Sequence, residues 1–370
     1  MEDRHRPFNA LSECVHRHFL WFVIGSYAVA AVWPDFGLWI RGVSFGTIAL
    51  SGEQTEVTLP VAMLAFLLFN GGLGVRGSRL KNLVHRPSVL LAGLAANLVV
   101  PVAFILGVTA AMGLWHNPEE VQQILVGLAV VASMPIAGSS TAWSQNAGGD
   151  LALSLGLVVF STLLSPLTTP LALHSAGLMA TGDYGRSLHD LAVSGTGLFL
   201  TVGVALPSVA GILARGLVGE ARVDRAKPQL RLANSLTLLL LTYANASVSL
   251  PQAVVEHDWD FLAVLLAIVL SLCVLGFATG WWVARVLKAD PAQRAALMFG
   301  LGMNNNGAGL VLASMALAAQ PRVLLPIIFY NLVQHLAAAA VDAFLSRPRR
   351  VRAREVVEAG PEAMRFARPS

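Results

Sequence analysis

Apolar runs of roughly twenty residues alternate along the chain with short polar or charged stretches. A helix needs about 20 largely apolar residues to cross a bilayer, so these runs predict membrane-spanning helices rather than a folded aqueous core. Ten can be placed, at about 19–33, 57–75, 88–113, 121–145, 151–174, 192–214, 231–250, 260–287, 295–319 and 323–346. The first is short and ends at Trp33-Pro34. The fourth and ninth are interrupted. Pro135-Ile136-Ala137-Gly138-Ser139-Ser140-Thr141 leads on to Gln145-Asn146, and Gly300-Leu301-Gly302-Met303-Asn304-Asn305-Asn306-Gly307 lies in the ninth run. An unpaired amide in an apolar medium costs about 2–7 kcal/mol. Neighbouring residues on a helix step about 100° apart, so three consecutive asparagines cannot share one face. Either these segments are enclosed by protein or their backbone unwinds, and both put them inside a helical bundle.

Composition agrees. The chain is 55% apolar and 12% charged, with a mean hydropathy of +0.66; soluble domains carry about 25% charged residues. The two cysteines, Cys14 and Cys273, are too far apart in sequence to suggest a disulfide framework or metal pattern. No nucleophile–base pair or nucleotide loop stands out, so an enzyme is not expected, and neither are a cofactor, a nucleic-acid partner or an obligate protein partner.

Charge placement gives the orientation. With the N-terminus inside, Arg41, Arg186 and Arg322 are the only outer residues among the 25 Lys and Arg. Basic residues collect on the cytoplasmic side, so ten spans with both termini cytoplasmic are expected, in a bacterial inner membrane. Five spans per half is an odd number, and a repeat would therefore be inverted. The interruptions fall in the fourth span of each half. Paired broken helices in inverted halves mark the midplane binding site of secondary transporters. The expected organisation is a cytoplasmic N-terminal segment at 1–18, a first five-helix repeat at 19–174, an extracytoplasmic loop at 175–191, an inverted second repeat at 192–346 and a basic cytoplasmic tail at 347–370. The expected fold class is an all-α membrane protein.

The run from Pro135 to Ser154, the segment Ser161 to Pro170, and Gly302-Met303-Asn304-Asn305-Asn306-Gly307 together resemble the bile acid:sodium symporter family. The likeness extends over about 19–346. It implies a panel domain (spans 1, 2, 6 and 7) beside a core domain (spans 3–5 and 8–10), with spans 4 and 9 unwound where they cross. It also implies transport of organic anions, commonly with sodium. Carried over by position, the resemblance assigns sodium binding to Ser140, Thr141, Ser154, the Leu301 and Met303 carbonyls, Asn304, and Asn97 or its neighbour Ala96. Three positions depart from the family pattern: Asn304 is shorter than the glutamine expected there, Val158 stands where a hydroxyl is expected, and Gly300 where an acidic residue bridges two sodium sites. Unit charges 4 Å apart interact by about 4 kcal/mol at an effective dielectric near 20. Two sodium ions without that acid therefore repel, and one ion or none is expected. No Asp, Glu, Lys or Arg lies in mid-span, which leaves His335 as a candidate proton relay.

For the substrate, half-helix N-termini supply free N–H groups and about half a positive charge each. Gly138, Ser139, Ser140, Asn305 and Asn306, with Asn245 from span 7, are the expected anion-binding residues. A carrier of an organic anion is the leading reading, coupled to Na+ through degraded sites, or to protons, or uncoupled. An anion channel and a ligand-binding membrane sensor are the alternatives.

Overall fold

The computed structural model describes residues 18–50, 53–75, 87–193, 195–256, 258–317 and 320–358, with side chains up to residue 345. All ten expected runs coincide with helix, with shifted ends. The first half begins with α1 (Phe19–Val32) and α2 (Asp35–Gly42), bent by 94° from each other. Pro34 lacks an N–H and disfavours helical geometry at Trp33, which sits at φ −133° and ψ 81°. Then follow α3 (Leu59–Leu73), α4 (Pro87–Met112), α5 (Pro118–Ser133), α6 (Ser139–Asn146), α7 (Leu151–Gly177) and α8 (Gly182–Val193). The second half comprises α9 (Thr196–Val218), α10 (Glu220–Ala246), α11 (Leu250–Glu256), α12 (Trp259–Val286), α13 (Pro291–Gly302), α14 (Asn306–Ala316) and α15 (Leu324–Glu358).

Among the described residues, five helical stretches are long and apolar enough to cross a membrane: α4, α7, α9, α12 and Pro321–Leu345. The bent pair α1–α2 makes a sixth if counted as one span, and α3 and α14 are shorter apolar helices. The protein is an integral membrane protein built mainly of helix.

The all-α expectation agrees with this, with one local exception among the described residues. Between α2 and α3 an antiparallel hairpin forms from β1 (Ser44–Leu50) and β2 (Glu53–Thr58), pairing Ile48 with Thr55 and Thr47 with Glu56. Thr47, Ile48, Thr55, Val57 and Thr58 are β-branched, and such residues favour a pleated surface. Helix also outruns hydropathy. α10 begins at Glu220 rather than near 231, because its charged first turns are rich in Glu, Ala, Arg and Lys, good helix formers that no apolar run reveals. α15 likewise continues into the basic tail, and α8 occupies the loop expected at 175–191.

The helices pack in two groups. α10 packs on α1, α3 and α9, and α3 on α9, while α4, α5, α7, α12, α13 and α15 form the other cluster; α7 meets the first half of α9, and α14 touches α3 and α10 as well as α15. α3 and α9 meet at Gly72 and Gly211, where a Cβ on either would run into the other helix's backbone at Ser208 or Phe69. Small residues at such contacts let membrane helices approach closely.

Candidate substrate and ion site at the paired helix breaks

The two interrupted spans begin alike. Asn117 caps α5 by accepting from the Glu119 N–H, and Asp290 caps α13 by accepting from the Ala292 and Gln293 N–H groups. A proline follows each cap, at the first-turn position where its missing N–H costs nothing. Both helices then stop short. α5 ends at Ser133 and α6 begins at Ser139; α13 ends at Gly302 and α14 begins at Asn306. Met134 and Met303 turn to extended geometry at these ends.

The extended segments find each other. Ile136 and Asn304 form an antiparallel bridge, in which the Ala137 N–H donates to the Met303 carbonyl (2.9 Å) and the Asn305 N–H to the Pro135 carbonyl (2.8 Å). In this pairing the N–H groups of Ile136 and Asn304 themselves point away from the bridge. Each is taken by a side chain of the second helix after its break. Ser161 Oγ on α7 accepts from Ile136 (3.1 Å), and Gln334 Oε1 on α15 accepts from Asn304 (3.0 Å). Thr169 Oγ1 donates to the Ser133 carbonyl (2.6 Å), and Asn304 Nδ2 to that of Val131 (2.9 Å). Unwound backbone far from water is tolerated when its polar groups are satisfied in this way.

Around the bridge, several polar atoms remain open. Ser140 Oγ is fully buried without a partner. Beside it in sequence, Thr141 Oγ1 accepts from Ser154 Oγ at 3.3 Å, so two of the three expected hydroxyls meet. Asn304 Oδ1 is buried and unpaired. Asn304, Leu301, Asn97 and Ala96 line one cleft, and Asn97 also faces a second with Ser133, Pro135 and Ser161. The Met303 carbonyl already accepts from Ala137. Val158 joins an apolar cluster with Leu153, Leu157, Ile136 and Leu301. At Gly300 a Cβ would lie 3.0 Å from Leu157 Cδ1, and Leu157 is fully buried. An aliphatic side chain thus crowds the place from which an acidic side chain would project.

Of the expected anion-binding residues, Gly138 and Ser139 are exposed at the start of α6, with open space around Gly138. Asn306 is buried with both amide atoms unpaired. Asn305 is different: its Oδ1 caps α14 by accepting from the Ala308 N–H, so that oxygen serves the helix end. Asn245, on α10, accepts from Arg41 Nη1 at 3.2 Å and leaves its Nδ2 buried and unpaired. His335 is half-buried. Its neighbour Gln334 is the residue that reaches the bridge, and it continues through Asn331 to the Tyr27 hydroxyl of α1. Ser161, Gln334 and Arg41 were not picked out as site residues. Ser161 lies in a run that the sequence did flag, and Gln334 is a mid-span amide, itself a signal of polar work.

A model of the sodium bile acid symporter family matches residues 61–255, more than half of the chain. The chain belongs to that family. Members of the sodium bile acid symporter family are transporters, not enzymes, and this chain is a secondary transporter. YbaS of Bacillus subtilis (strain 168), described as uncharacterised, is 25% identical over 289 residues, which cover 77% of this chain and 88% of the relative. YocS of the same organism, described as an uncharacterised sodium-dependent transporter, is 25% identical over 323 residues, covering 84% and 91%. BASS1 of Oryza sativa subsp. japonica, described as a probable chloroplastic sodium/metabolite cotransporter, is 24% identical over 308 residues, covering 79% and 63%.

Proposed function

We propose that this protein carries an organic anion across the membrane by alternating access, coupled to at most one sodium ion. The observation that carries the reading is the bridged pair of helix breaks, with open polar atoms of Ser140, Asn304 and Asn306 buried around it. The sodium reading draws on the family and on a relative described as sodium-dependent. Ser140, Thr141 and Ser154 supply hydroxyl oxygens for one ion. Asn97, Asn304 and the Leu301 and Met303 carbonyls form a second, weakened set, because Leu157 crowds Gly300 where a charge would be needed. The anion lies at the N-termini of α6 and α14, against Gly138, Ser139, Ser140, Asn306 and the remaining amide donors of Asn305. In water these donors gain little; in an enclosed, low-dielectric site the same dipoles hold an anion well.

The same reading takes the ten runs as spans in two inverted repeats, at 19–174 and 192–346, with both termini cytoplasmic. It is supported by the matched Asn-Pro and Asp-Pro caps and by the matched capture of Ile136 by Ser161 and Asn304 by Gln334. The group α1, α3, α9 and α10 then forms the panel, and the other cluster, with α6 and α14, the core.

The test is uptake of radiolabelled pyruvate, pantoate and taurocholate into proteoliposomes, with sodium replaced by choline or with an imposed proton gradient. Saturable uptake with a sodium Hill coefficient near one, or no sodium dependence, is expected. A coefficient near two would overturn the single-ion reading. Uptake that follows the proton gradient and loses that dependence in His335→Ala would move the coupling to His335. Steady bilayer conductance without saturation would replace the carrier with a channel.

A further inference from the structure

We propose that Arg41 is an anion-responsive latch that ties panel to core at the outer end of their boundary. The proposal rests on the panel-and-core reading above. α2, which carries Arg41, is fixed to α10. Gly37 packs so closely on Ala244 and Ser247 that no larger residue fits, and the Tyr243 hydroxyl donates to the Trp33 carbonyl at 2.6 Å. The rings of Phe36 and Tyr243 lie 6.2 Å apart. The base of Arg41 therefore moves with the panel.

Its head reaches across. Nη1 donates to Asn245 Oδ1 (3.2 Å), still on the panel, while Nη2 donates to the Ser314 carbonyl (2.7 Å) of α14. Ser314 lies in the last turns of α14, where carbonyls lack helical partners and carry the negative end of the helix dipole. A side chain on one group of helices thus holds a helix end on the other.

The chemistry of the junction is one-sided. Arg215, at the end of α9, also holds a helix-end carbonyl, that of Leu73 at 2.7 Å, but its second nitrogen pairs with Asp224 at 3.2 Å. Arg41 has only neutral acceptors, with no carboxylate partner among the described residues. Beside it Asn245, fully buried, keeps an unpaired Nδ2 donor. A guanidinium and a spare amide donor, with no carboxylate partner among the described residues, favour an anion. A carboxylate accepts two parallel N–H bonds from an arginine fork, and charge-assisted bonds are about twice as strong as neutral ones. An arriving carboxylate therefore displaces the Ser314 carbonyl from Arg41. Capture of the anion and release of α14 become one exchange, and anionic cargo opens the outer gap that a neutral molecule leaves shut.

The experiment places Ser314→Cys in a Cys14→Ser/Cys273→Ser background and measures its labelling, in intact cells, by a membrane-impermeant methanethiosulfonate. Ser314 is 1% exposed, so labelling reports opening. Arg41→Gln is expected to raise the labelling rate about tenfold, as loss of a charged hydrogen bond implies. Pyruvate, pantoate and taurocholate are the probe anions. At least one should accelerate labelling when position 41 is Arg or Lys and none when it is Gln, a charge rescue that a purely structural side chain would not give. Equal rates for the parent and a monodisperse Arg41→Gln protein would overturn the latch. A faster Arg41→Gln that is accompanied by a parent indifferent to all three anions would overturn its response to anions. Failure of proteoliposome uptake with the latch behaviour intact would instead strike the carrier reading alone.

Discussion

Ser161 shows how much one hydroxyl does at a helix break. It accepts the Ile136 N–H, which points away from the bridge. Ser161→Ala would leave that donor buried and unpaired, a loss of about 1–3 kcal/mol. A lower Tm in detergent, with Phe160→Ala on the lipid-exposed side as the comparison, is the expected result; an unchanged Tm would show that the break finds another partner. Gly300 makes the opposite point. A glutamate there meets Leu157 at once, so Gly300→Glu alone is expected to lower the yield of folded protein. Gly300→Glu/Leu157→Ala should recover it and raise the sodium Hill coefficient of uptake. A double variant that folds yet shows unaltered sodium dependence would mean the acid has no ion to hold. At this scale the sequence marks the two breaks because hydroxyls and amides in an apolar run need an explanation, and the family resemblance assigns Ser140, Thr141 and Asn304 within them. It does not show that the Asn305 side-chain oxygen caps α14 while its amide donors stay available, since a capping asparagine looks like any other until the helix start is known.

Among the elements, the paired breaks were the most legible, because proline, glycine and asparagine inside a spanning run have few other uses. Their contact was not legible beyond the family resemblance, since antiparallel pairing between residues 168 apart leaves no local mark. The hairpin β1–β2 was missed for a related reason: hydropathy scanning sees a gap between apolar runs and says nothing about how that gap folds. The bridge makes a direct prediction. Opposed residues of a non-hydrogen-bonded antiparallel pair have Cα atoms about 4.5 Å apart, within the roughly 4.4–6.8 Å that a disulfide accepts. Ile136→Cys/Asn304→Cys, in the cysteine-free background, should oxidise readily, as peptide mass mapping would reveal. Persistent free thiols under mild oxidant would place the two segments apart.

For the whole molecule, sequence and structure divide the labour differently. Basic residues supply the expected orientation, which packing alone cannot. Beyond the family resemblance, grouping into two helical clusters comes from the structure, because lipid-facing and protein-facing sides of a membrane helix are both apolar and give no periodic contrast. The orientation is testable by itself. Epitope tags fused to either terminus should resist external protease in right-side-out vesicles and be lost once the vesicles are opened. Cleavage of one tag alone from outside would break the ten-span count, and cleavage of both would reverse the orientation.

The bridge also constrains how the protein is made. Until residues 303–305 emerge from the ribosome, the Pro135 carbonyl and the Ala137 N–H have no partner of their own, although Ser161 can already serve Ile136. The first half therefore enters the bilayer with a wound that only the second half closes. Newly synthesised protein should remain sensitive to quality-control proteolysis until translation is nearly complete, and the two halves expressed as separate chains should each be short-lived unless they are produced together.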